Sequence, residues 1–171
     1  MNRQKWFDKK FQFELFQNDY ELILTKLNEN PEKIFNLVSS LPAATLTEKV
    51  DNGWSIQENV GHLIDLEELH SGRIDDFIAG KETLRSADLN NKKTDEAIHN
   101  KENINNLLKK LKSVREDFVS RMKNLDNEIL NRSSIHPRLN QPMRPIDMAQ
   151  FVLEHDKHHI ETIKELIKTL Q

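Results

Sequence analysis

The sequence of 171 residues contains no cysteine, four glycines and five prolines. Without cysteine the chain forms neither disulfides nor thiolate metal sites, and it has no cysteine nucleophile. The scarcity of glycine and proline favours long helices over a turn-rich β fold. No stretch approaches the ~18 consecutive apolar residues that a transmembrane helix needs. These absences predict a soluble, mostly helical protein.

Charge and length narrow the class further. Lys and Arg number 25 against 28 Asp and Glu, a net charge of −3, which is too balanced for a nucleic-acid surface built on net charge. The N-terminal residues Met1–Asp8 are charged with no apolar run behind them, so we expect no signal peptide. We therefore expect a cytoplasmic protein, with residues 1–171 forming one domain.

Four segments carry apolar residues at helical spacing. Ser55-Ile56-Gln57-Glu58 is a capping box, and Pro145 suits the first position of a helix. The predicted helices span about Phe13–Leu27 (continuing after Pro31 to Val38), Ser55–Gly80, Asp95–Leu125 and Pro145–Gln171. Polar connections of residues 81–94 and 131–144 separate the last three. Because such helices bury their apolar stripes only against one another, we predict an all-α four-helix bundle.

Three of the seven histidines, His155, His158 and His159, lie in one five-residue stretch of the predicted fourth helix. His155 and His159 are one turn apart and share a face, so both imidazoles can reach one metal ion, as in helical zinc sites. His158 shares its face with glutamates, and we expect it to point to solvent. His62 lies at the margin of the apolar arc of the second helix and is the candidate third ligand. The alternative is that each histidine is an ordinary residue at the edge of the core.

Two other metal sites are disfavoured. The stretch from His155 to His159 resembles the metalloprotease motif His-Glu-x-x-His, but Asp156 is a shorter base and no histidine follows. A di-iron bundle needs inward carboxylates from all four helices. Glu67-x-x-His70 is present, yet the acidic residues considered on the first and third helices fall opposite their apolar stripes; these are Glu14, Glu21 and Glu116.

Two motifs resemble a known family. Trp54-Ser55-Ile56-Gln57-Glu58-Asn59-Val60-Gly61-His62-Leu63 resembles the Trp-Ser-x-x-Glu-x-x-x-His-Leu signature of the DinB-like (YfiT-like) metal-binding bundles. His155-Asp156-Lys157-His158-His159-Ile160 is similar to the closing helix motif of that family, and the loop His136-Pro137-Arg138-Leu139 is similar to one often found there. The resemblance covers nearly the whole chain.

The resemblance implies a four-helix bundle with a long crossover between the second and third helices. It also implies one divalent ion, zinc or nickel, held by the residues matching the ligands of the family, which are His62, His155 and His159. Relatives include S-transferases that join a low-molecular-weight thiol to an electrophile, and a thiol-dependent isomerase. A homodimer is plausible from the family alone.

We therefore expect a metal-dependent enzyme that acts on a small-molecule thiol and an electrophile. A divalent ion held by three neutral imidazoles makes a bound thiol or water easier to deprotonate. With no cysteine in the chain, the thiol must arrive as a co-substrate. A metal-dependent hydrolase fits the same residues. A metal-binding bundle without catalysis, acting as a structural or stress-related interaction module, is the second class.

Other polar residues stay open at this point, and none is assigned as a catalytic acid or base. Asp156 could orient a histidine, or be the buried partner of a basic residue such as Arg73 or Arg121. Glu67 and His70 favour a buried polar network over metal ligation. For two further residues, a role in the site is less favoured than a structural one. We expect His136 to be a solvated loop residue and Trp54 to pack at the start of a helix.

Overall fold

The computed structural model describes residues 6–16 and 18–171. Most of the segment from which we expect no signal peptide, residues 1–5, lies outside the described residues. Two 3-10 turns, Trp6–Asp8 and His99–Lys101, accompany the helices and strands. The helices are α1 (Asp19–Val38), α2 (Ala43–Thr47), α3 (Ile56–Ile78), α4 (Lys92–Glu96), α5 (Ile104–Lys123), α6 (Asn127–Leu130) and α7 (Pro145–Leu170), and the strands are β1 (Ser134–His136) and β2 (Gln141–Met143).

The four long helices, α1, α3, α5 and α7, form a bundle. Both α1 and α3 pack against α5 and against α7, so the order around the bundle is α1, α5, α3, α7. Consecutive helices α1 and α3 are thus diagonal to each other, as are α5 and α7. Residues 79–103 connect α3 to α5 and contain α4. The predicted all-α four-helix bundle with a long connection between its second and third helices is confirmed.

Local sequence explains where α3 and α7 begin. The Ser55 hydroxyl accepts the amide of Glu58, whose carboxylate in turn accepts the amide of Ser55. This reciprocal capping satisfies two amides that have no partner within the helix. Pro145 occupies the first turn of α7, where its missing N–H costs nothing. Both predicted helix starts are confirmed, and they fix the two helices that carry the site.

The predicted start of the first helix is wrong, because α1 begins at Asp19 rather than Phe13. Residues 9–16 have no regular secondary structure and pack against α7. Phe11 stacks on Phe13 and also lies 5.0 Å from the ring of Phe151 on α7. Phe16, which the spacing places on the buried stripe, is 76% exposed. Phe11 and Phe13 thus cover the side of α7 instead of extending α1.

The third helix also begins later than its apolar pattern predicts, at Ile104 instead of Asp95. Ile98 has a φ of 51°, a left-handed conformation that interrupts a helix. Asn103 then caps α5 by accepting the amide of Asn105. The connection of residues 131–144 also contains a feature missed by the sequence, the antiparallel pair β1–β2 with Ser134 opposite Met143.

The core consists of apolar side chains from the four long helices, in two adjoining groups. Leu24 and Leu27 of α1, Phe118 of α5 and Val152 of α7 are fully or almost fully buried in one of them. Burial of this apolar surface is the main source of the stability of the bundle. In the described part of the chain, no helix is long and apolar enough to cross a lipid bilayer.

Candidate metal centre

Three histidines from two helices meet at the interface of α3 and α7. His62 on α3 and His155 and His159 on α7 each offer one ring nitrogen, and these nitrogens lie within 4.8 Å of one another. All three side chains are buried. Within residues 6–16 and 18–171, this is the one group of three or more His, Asp or Glu residues with metal-binding spacing. We call these three residues the histidine cluster.

In two cluster residues, His62 and His159, the Nδ1 atom is hydrogen-bonded to a residue outside the cluster. The Nδ1 of His159 lies 2.8 Å from the Oδ1 of Asn59, an oxygen that only accepts, so His159 carries its proton on Nδ1. The Nδ1 of His62 lies 3.0 Å from the Thr94 hydroxyl. That hydroxyl donates to Asp65 and therefore accepts from His62. Both rings thus direct the Nε2 lone pair towards the centre of the cluster, as metal-ligating histidines do.

The third ring, His155, has a different environment. Its Nδ1 is buried and has no hydrogen-bond partner among the described residues. Its Nε2 lies 3.2 Å from the Nε2 of His159. Two ligands at 2.0–2.1 Å from a tetrahedral ion are separated by about 3.3 Å. The spacing therefore suits either a shared cation or, without one, a hydrogen bond between the two rings.

Burial keeps His62 and His155 neutral. It lowers the pKa of His62 to about 4, although nearby Asp65 opposes the shift. Burial, followed by the neighbouring His159, lowers the pKa of His155 well below its usual value. A neutral imidazole is the form that binds metal ions. The residues present thus fit a divalent ion, with the Nε2 lone pairs of His62 and His159 already oriented towards it.

An outer layer of polar residues supports His62. Burial opposes ionisation of Asp65, but hydrogen bonds from His99 and Thr94 outweigh it and lower the pKa of this carboxyl. The Nε2 of His99 lies 2.8 Å from Asp65. Gly61 makes room for this arrangement, since a Cβ there would come within 2.3 Å of the His99 ring. The chain from His99 through Asp65 and Thr94 to His62 fixes the orientation of one ligand.

The cluster lines a cavity of about 300 Å³. Aromatic rings form much of its wall. Trp54 packs 4.5 Å from His62 and donates its indole N–H to Asp95. The interpretation of Trp54 as packing at a helix start is therefore incomplete, because its ring also covers the cluster. Trp6 packs edge-on against His155 at 4.8 Å.

Two further histidines differ from their predicted placement. His158, expected to point to solvent, is half-buried, lines the cavity and lies 5.8 Å from the ring of Trp6. His136, expected to be a solvated loop residue, is buried and lines the same cavity. Both corrections have one cause. The N-terminal segment and the β1–β2 hairpin cover this side of α7, and helix periodicity contains no information about either.

A second buried polar cluster, which we call the charged network, lies beside the histidines. It comprises Asn30, Glu67, His70, Arg115 and Asp156. The Arg115 Nη2 lies 2.7 Å from Glu67 and donates to Asp156 at 3.0 Å. Asn30 donates to the other oxygen of Asp156, and the His70 Nδ1 lies 3.5 Å from Glu67. Glu67 and His70 therefore lie in a buried polar network.

The expected partners of Asp156 are wrong. Arg73 donates to the backbone oxygen of Arg85, and Arg121 pairs with Asp75. Arg115 is the partner instead, because it is a buried basic residue of α5 whose Nη2 reaches Asp156 on the diagonally placed helix α7. Asn59, Thr94 and Trp6 are the supporting residues that sequence reasoning missed. Thr94 reaches His62 through the fold of the long connection, and Trp6 through the path of the N-terminal segment, so no local pattern identifies them.

Comparison with known proteins agrees with this geometry. Residues 26–163 match the DinB superfamily. No curated protein sequence matches the chain. YfiT from Bacillus subtilis, described as a probable metal-dependent hydrolase with an unusual four-helix bundle topology, is 21% identical; the match covers 94% of this chain and 93% of YfiT, with a TM-score of 0.77. The similarity to YfiT shows the fold.

A second solved structure is more distant. The mycothiol-dependent maleylpyruvate isomerase is 11% identical, with a TM-score of 0.66. The match covers 83% of this chain but 59% of the isomerase. Here too the similarity shows the fold alone, and the unmatched part of the isomerase has no counterpart in the comparison.

Proposed function

The chain belongs to the DinB superfamily, and we propose that it holds one divalent metal ion with His62, His155 and His159 and uses it to activate a small substrate. The observation that carries this proposal is the orientation of the rings. The Nδ1 atoms of His62 and His159 are hydrogen-bonded away from the centre, and the cluster faces a cavity. YfiT, which has the same fold, is described as a probable metal-dependent hydrolase.

We propose zinc or nickel as the ion. Three imidazoles suit both metals, and affinity alone does not select between them. When bound, such an ion acts as a Lewis acid and lowers the pKa of a thiol or of water. Thr94 and Asn59 keep two rings in the ligating tautomer, while Trp6 and Trp54 limit the access of bulk water to the cluster.

The site favours a catalytic over a structural metal. Structural zinc sites are closed by four protein ligands, whereas catalytic sites keep an open position. In the described part of the chain, the group contains three histidines and no fourth histidine or carboxylate. The adjoining cavity of about 300 Å³ is large enough for a small organic molecule.

The reaction that we propose is the transfer of a low-molecular-weight thiol to an electrophile. The thiol sulfur forms a bond to an electrophilic carbon, the leaving group departs with its bonding electrons, and the thiol proton passes to solvent. The thiol is a co-substrate, because the chain has no cysteine. The fold is shared with an isomerase that depends on mycothiol. We expect the protein to act in the cytoplasm, where such thiols stay reduced.

Hydrolysis is the second candidate, because YfiT is described as a probable metal-dependent hydrolase. Water would replace the thiol as the nucleophile. A panel of thiols with a chlorinated nitroarene or a bimane as electrophile separates the two reactions. Thioether formation restricted to one thiol supports S-transfer. Turnover of ester or amide substrates without any thiol supports hydrolysis, and neither activity from the fully metal-loaded protein would contradict the catalytic proposal.

Metal binding itself is tested by elemental analysis of the untagged protein and of two variants. His159→Ala removes a proposed ligand and should abolish stoichiometric zinc or nickel binding. The bundle should stay folded by circular dichroism, because apolar burial supplies most of its stability. His158→Ala is the matched control, since the neighbouring residue lies outside the three-histidine group. A metal content that is equal in both variants would contradict the ligand assignment.

A further inference from the structure

The wall of the cavity also contains two buried hydrogen-bond donors that no atom of the described residues satisfies. They are the Nε2 of His136 and the Nη2 of Arg138, both without a partner among the described residues. Both residues line the same cavity as the histidine cluster. A buried polar group without a partner is costly, and it commonly marks the position of a ligand atom.

The hydrogen bonds of His136 decide which of its nitrogens is the donor. The backbone N–H of Leu139 donates to its Nδ1 at 3.2 Å, so a neutral ring carries its proton on Nε2. Burial, with Arg73 and Arg138 nearby, lowers the pKa of His136 to about 3. The ring is therefore neutral, and its Nε2–H is a donor without an acceptor in residues 6–16 and 18–171.

Arg138 is held by aromatic rings and not by a carboxylate. Its guanidinium carbon lies 5.7, 5.5 and 5.6 Å from the ring centres of Trp6, Phe7 and Phe151. Among the described residues it has no ion pair. Cation–π contacts position a guanidinium without neutralising it. Its positive charge is thus available to a ligand in the cavity.

The nearby acidic residues do not compensate this charge. Asp76 is occupied by Arg85, which donates to both of its carboxylate oxygens. Asp88 is exposed and accepts the backbone amides of Asn90 and Lys92. Arg73 contributes a further buried positive charge to the wall. This side of the cavity is therefore electropositive, in contrast to the neutral histidine cluster.

We propose that His136 and Arg138 bind the carboxylate of a small organic acid whose reacting end lies at the histidine cluster. Trp6 contacts both His155 and Arg138, so one small molecule lying along the indole reaches both ends. Two donors, one of them charged, match the two oxygens of a carboxylate. A phosphate group presents three oxygens and up to two charges and would leave acceptors unpaired. This inference rests on the proposed function, because it names the substrate class for that site.

The carboxylate site can be tested without any metal. Hexanoate is titrated into the metal-free protein, with hexanol as the neutral analogue, and binding is followed by NMR of the His136 ring and the Trp6 indole. Hexanoate should bind at least about tenfold more tightly than hexanol, because charge-assisted hydrogen bonds are the stronger ones. Equal binding of the two would overturn the proposal, as would tighter binding of hexyl phosphate than of hexanoate.

Three variants assign the effect to named atoms. Arg138→Met should remove the preference for hexanoate, and Arg138→Lys should retain part of it. His136→Asn keeps an acceptor for the Leu139 amide and removes the Nε2 donor, so it should reduce the preference several-fold. Lys157→Met removes an exposed charge from α7 and should change hexanoate binding less than twofold. If Arg138→Met fails to fold, the comparison of hexanoate with hexanol in the wild type still decides.

The outcomes separate this inference from the proposed function. A protein that binds hexanoate selectively but takes up neither zinc nor nickel would contradict the metal site alone. A protein that binds nickel but shows no preference for hexanoate would contradict the carboxylate site alone. In the nickel-loaded protein, 6-mercaptohexanoate should bind more tightly than 6-mercaptohexanol, read from the thiolate absorption band.

Discussion

The histidine cluster and the charged network are buried side by side, but their polar groups are stabilised in different ways. His155 and Asp156 are neighbours in α7 and face different helices, because successive residues of a helix point about 100° apart. His155 meets His62 of α3, whereas Asp156 binds Arg115 of α5 and Asn30 of α1. The cluster borders a cavity, and the network holds the helices together.

The difference lies in charge. In the cluster, burial lowers the pKa of His62 and His155, so the bundle holds these rings neutral without a counter-ion, and the Nε2 lone pairs of His62 and His159 are directed to one point. The network has two carboxylates, Glu67 and Asp156, around one buried guanidinium. Burial raises the pKa of Asp156 although Arg115 opposes the shift. Polar residues in the core are therefore not one class. Those whose charges compensate one another hold the helices together, and those that stay neutral and border the cavity are available to a ligand.

The largest effect that we predict comes from breaking the network. Arg115→Met leaves two carboxylates buried without their cation, which typically costs about 3–5 kcal/mol in the free energy of unfolding. Urea denaturation of the metal-free protein measures this loss. The matched control is Arg121→Met on the same helix, where an exposed pair with Asp75 is removed. That change should cost less than about 1 kcal/mol.

The same pair of variants tests whether the two regions are independent. Arg115→Met should still bind one equivalent of metal under conditions where it is folded, because no network residue belongs to the three-histidine group. A loss of unfolding free energy equal to that of Arg121→Met would contradict the structural role of the network. Loss of metal from the folded Arg115→Met protein would show that the network positions the histidines as well.

The sequence predicts the fold better than its details. The cap at Ser55, the proline at position 145 and the stripes of α3 and α7 are local features, and each is confirmed. The starts of α1 and α5 are not, because apolar spacing does not distinguish a helix from aromatic residues that cover a neighbouring helix. A left-handed residue such as Ile98 has no clear sequence signal either.

The residues of the site also divide into those that local sequence predicts and those that it does not. His155 and His159 are one turn apart in one helix, so their juxtaposition follows from helix geometry alone. The position of His62 beside them depends on how α3 packs against α7. The apolar arc of α3 makes His62 a candidate third ligand, and the family resemblance supports the same choice. Thr94 and Arg138 come from connections, where periodicity gives no information. The partners that decide tautomer and charge are thus the least predictable part of the site.

The second-largest effect that we predict is a loss of stability at low pH, caused by His62 of the histidine cluster. The pKa of His62 is about 4 in the folded protein and near its usual value of 6.5 in the unfolded chain. Below pH 6.5 the unfolded chain therefore binds a proton that the folded protein does not, and stability falls as the pH decreases. By pH 4 this one residue should cost about 3 kcal/mol of the unfolding free energy of the metal-free protein.

The measurement compares urea denaturation of the wild type and of His62→Gln at pH 7 and at pH 4, both with a chelator present. The comparison is needed because the raised pKa of Asp156 acts with the opposite sign, as protonation of the folded form opposes acid unfolding. The difference between the two proteins cancels such contributions. Acid sensitivity that is identical in the two proteins would show that His62 is not held neutral by burial.

The smallest effect concerns the hydrogen bond that orients one ligand. Thr94→Val keeps the volume of a buried side chain but removes the hydroxyl that accepts from the His62 Nδ1. The imidazole can then adopt either tautomer, and metal affinity should fall about 10–100-fold, as it does when outer partners of ligating histidines are removed. Competition with a chromogenic chelator measures the affinity.

The control is Thr25→Val, at an exposed position of α1, which should leave the metal affinity unchanged. Equal affinities in the two variants would mean that packing against Trp54 alone orients His62, and the cluster would then differ from the charged network in its dependence on hydrogen bonds as well as in charge.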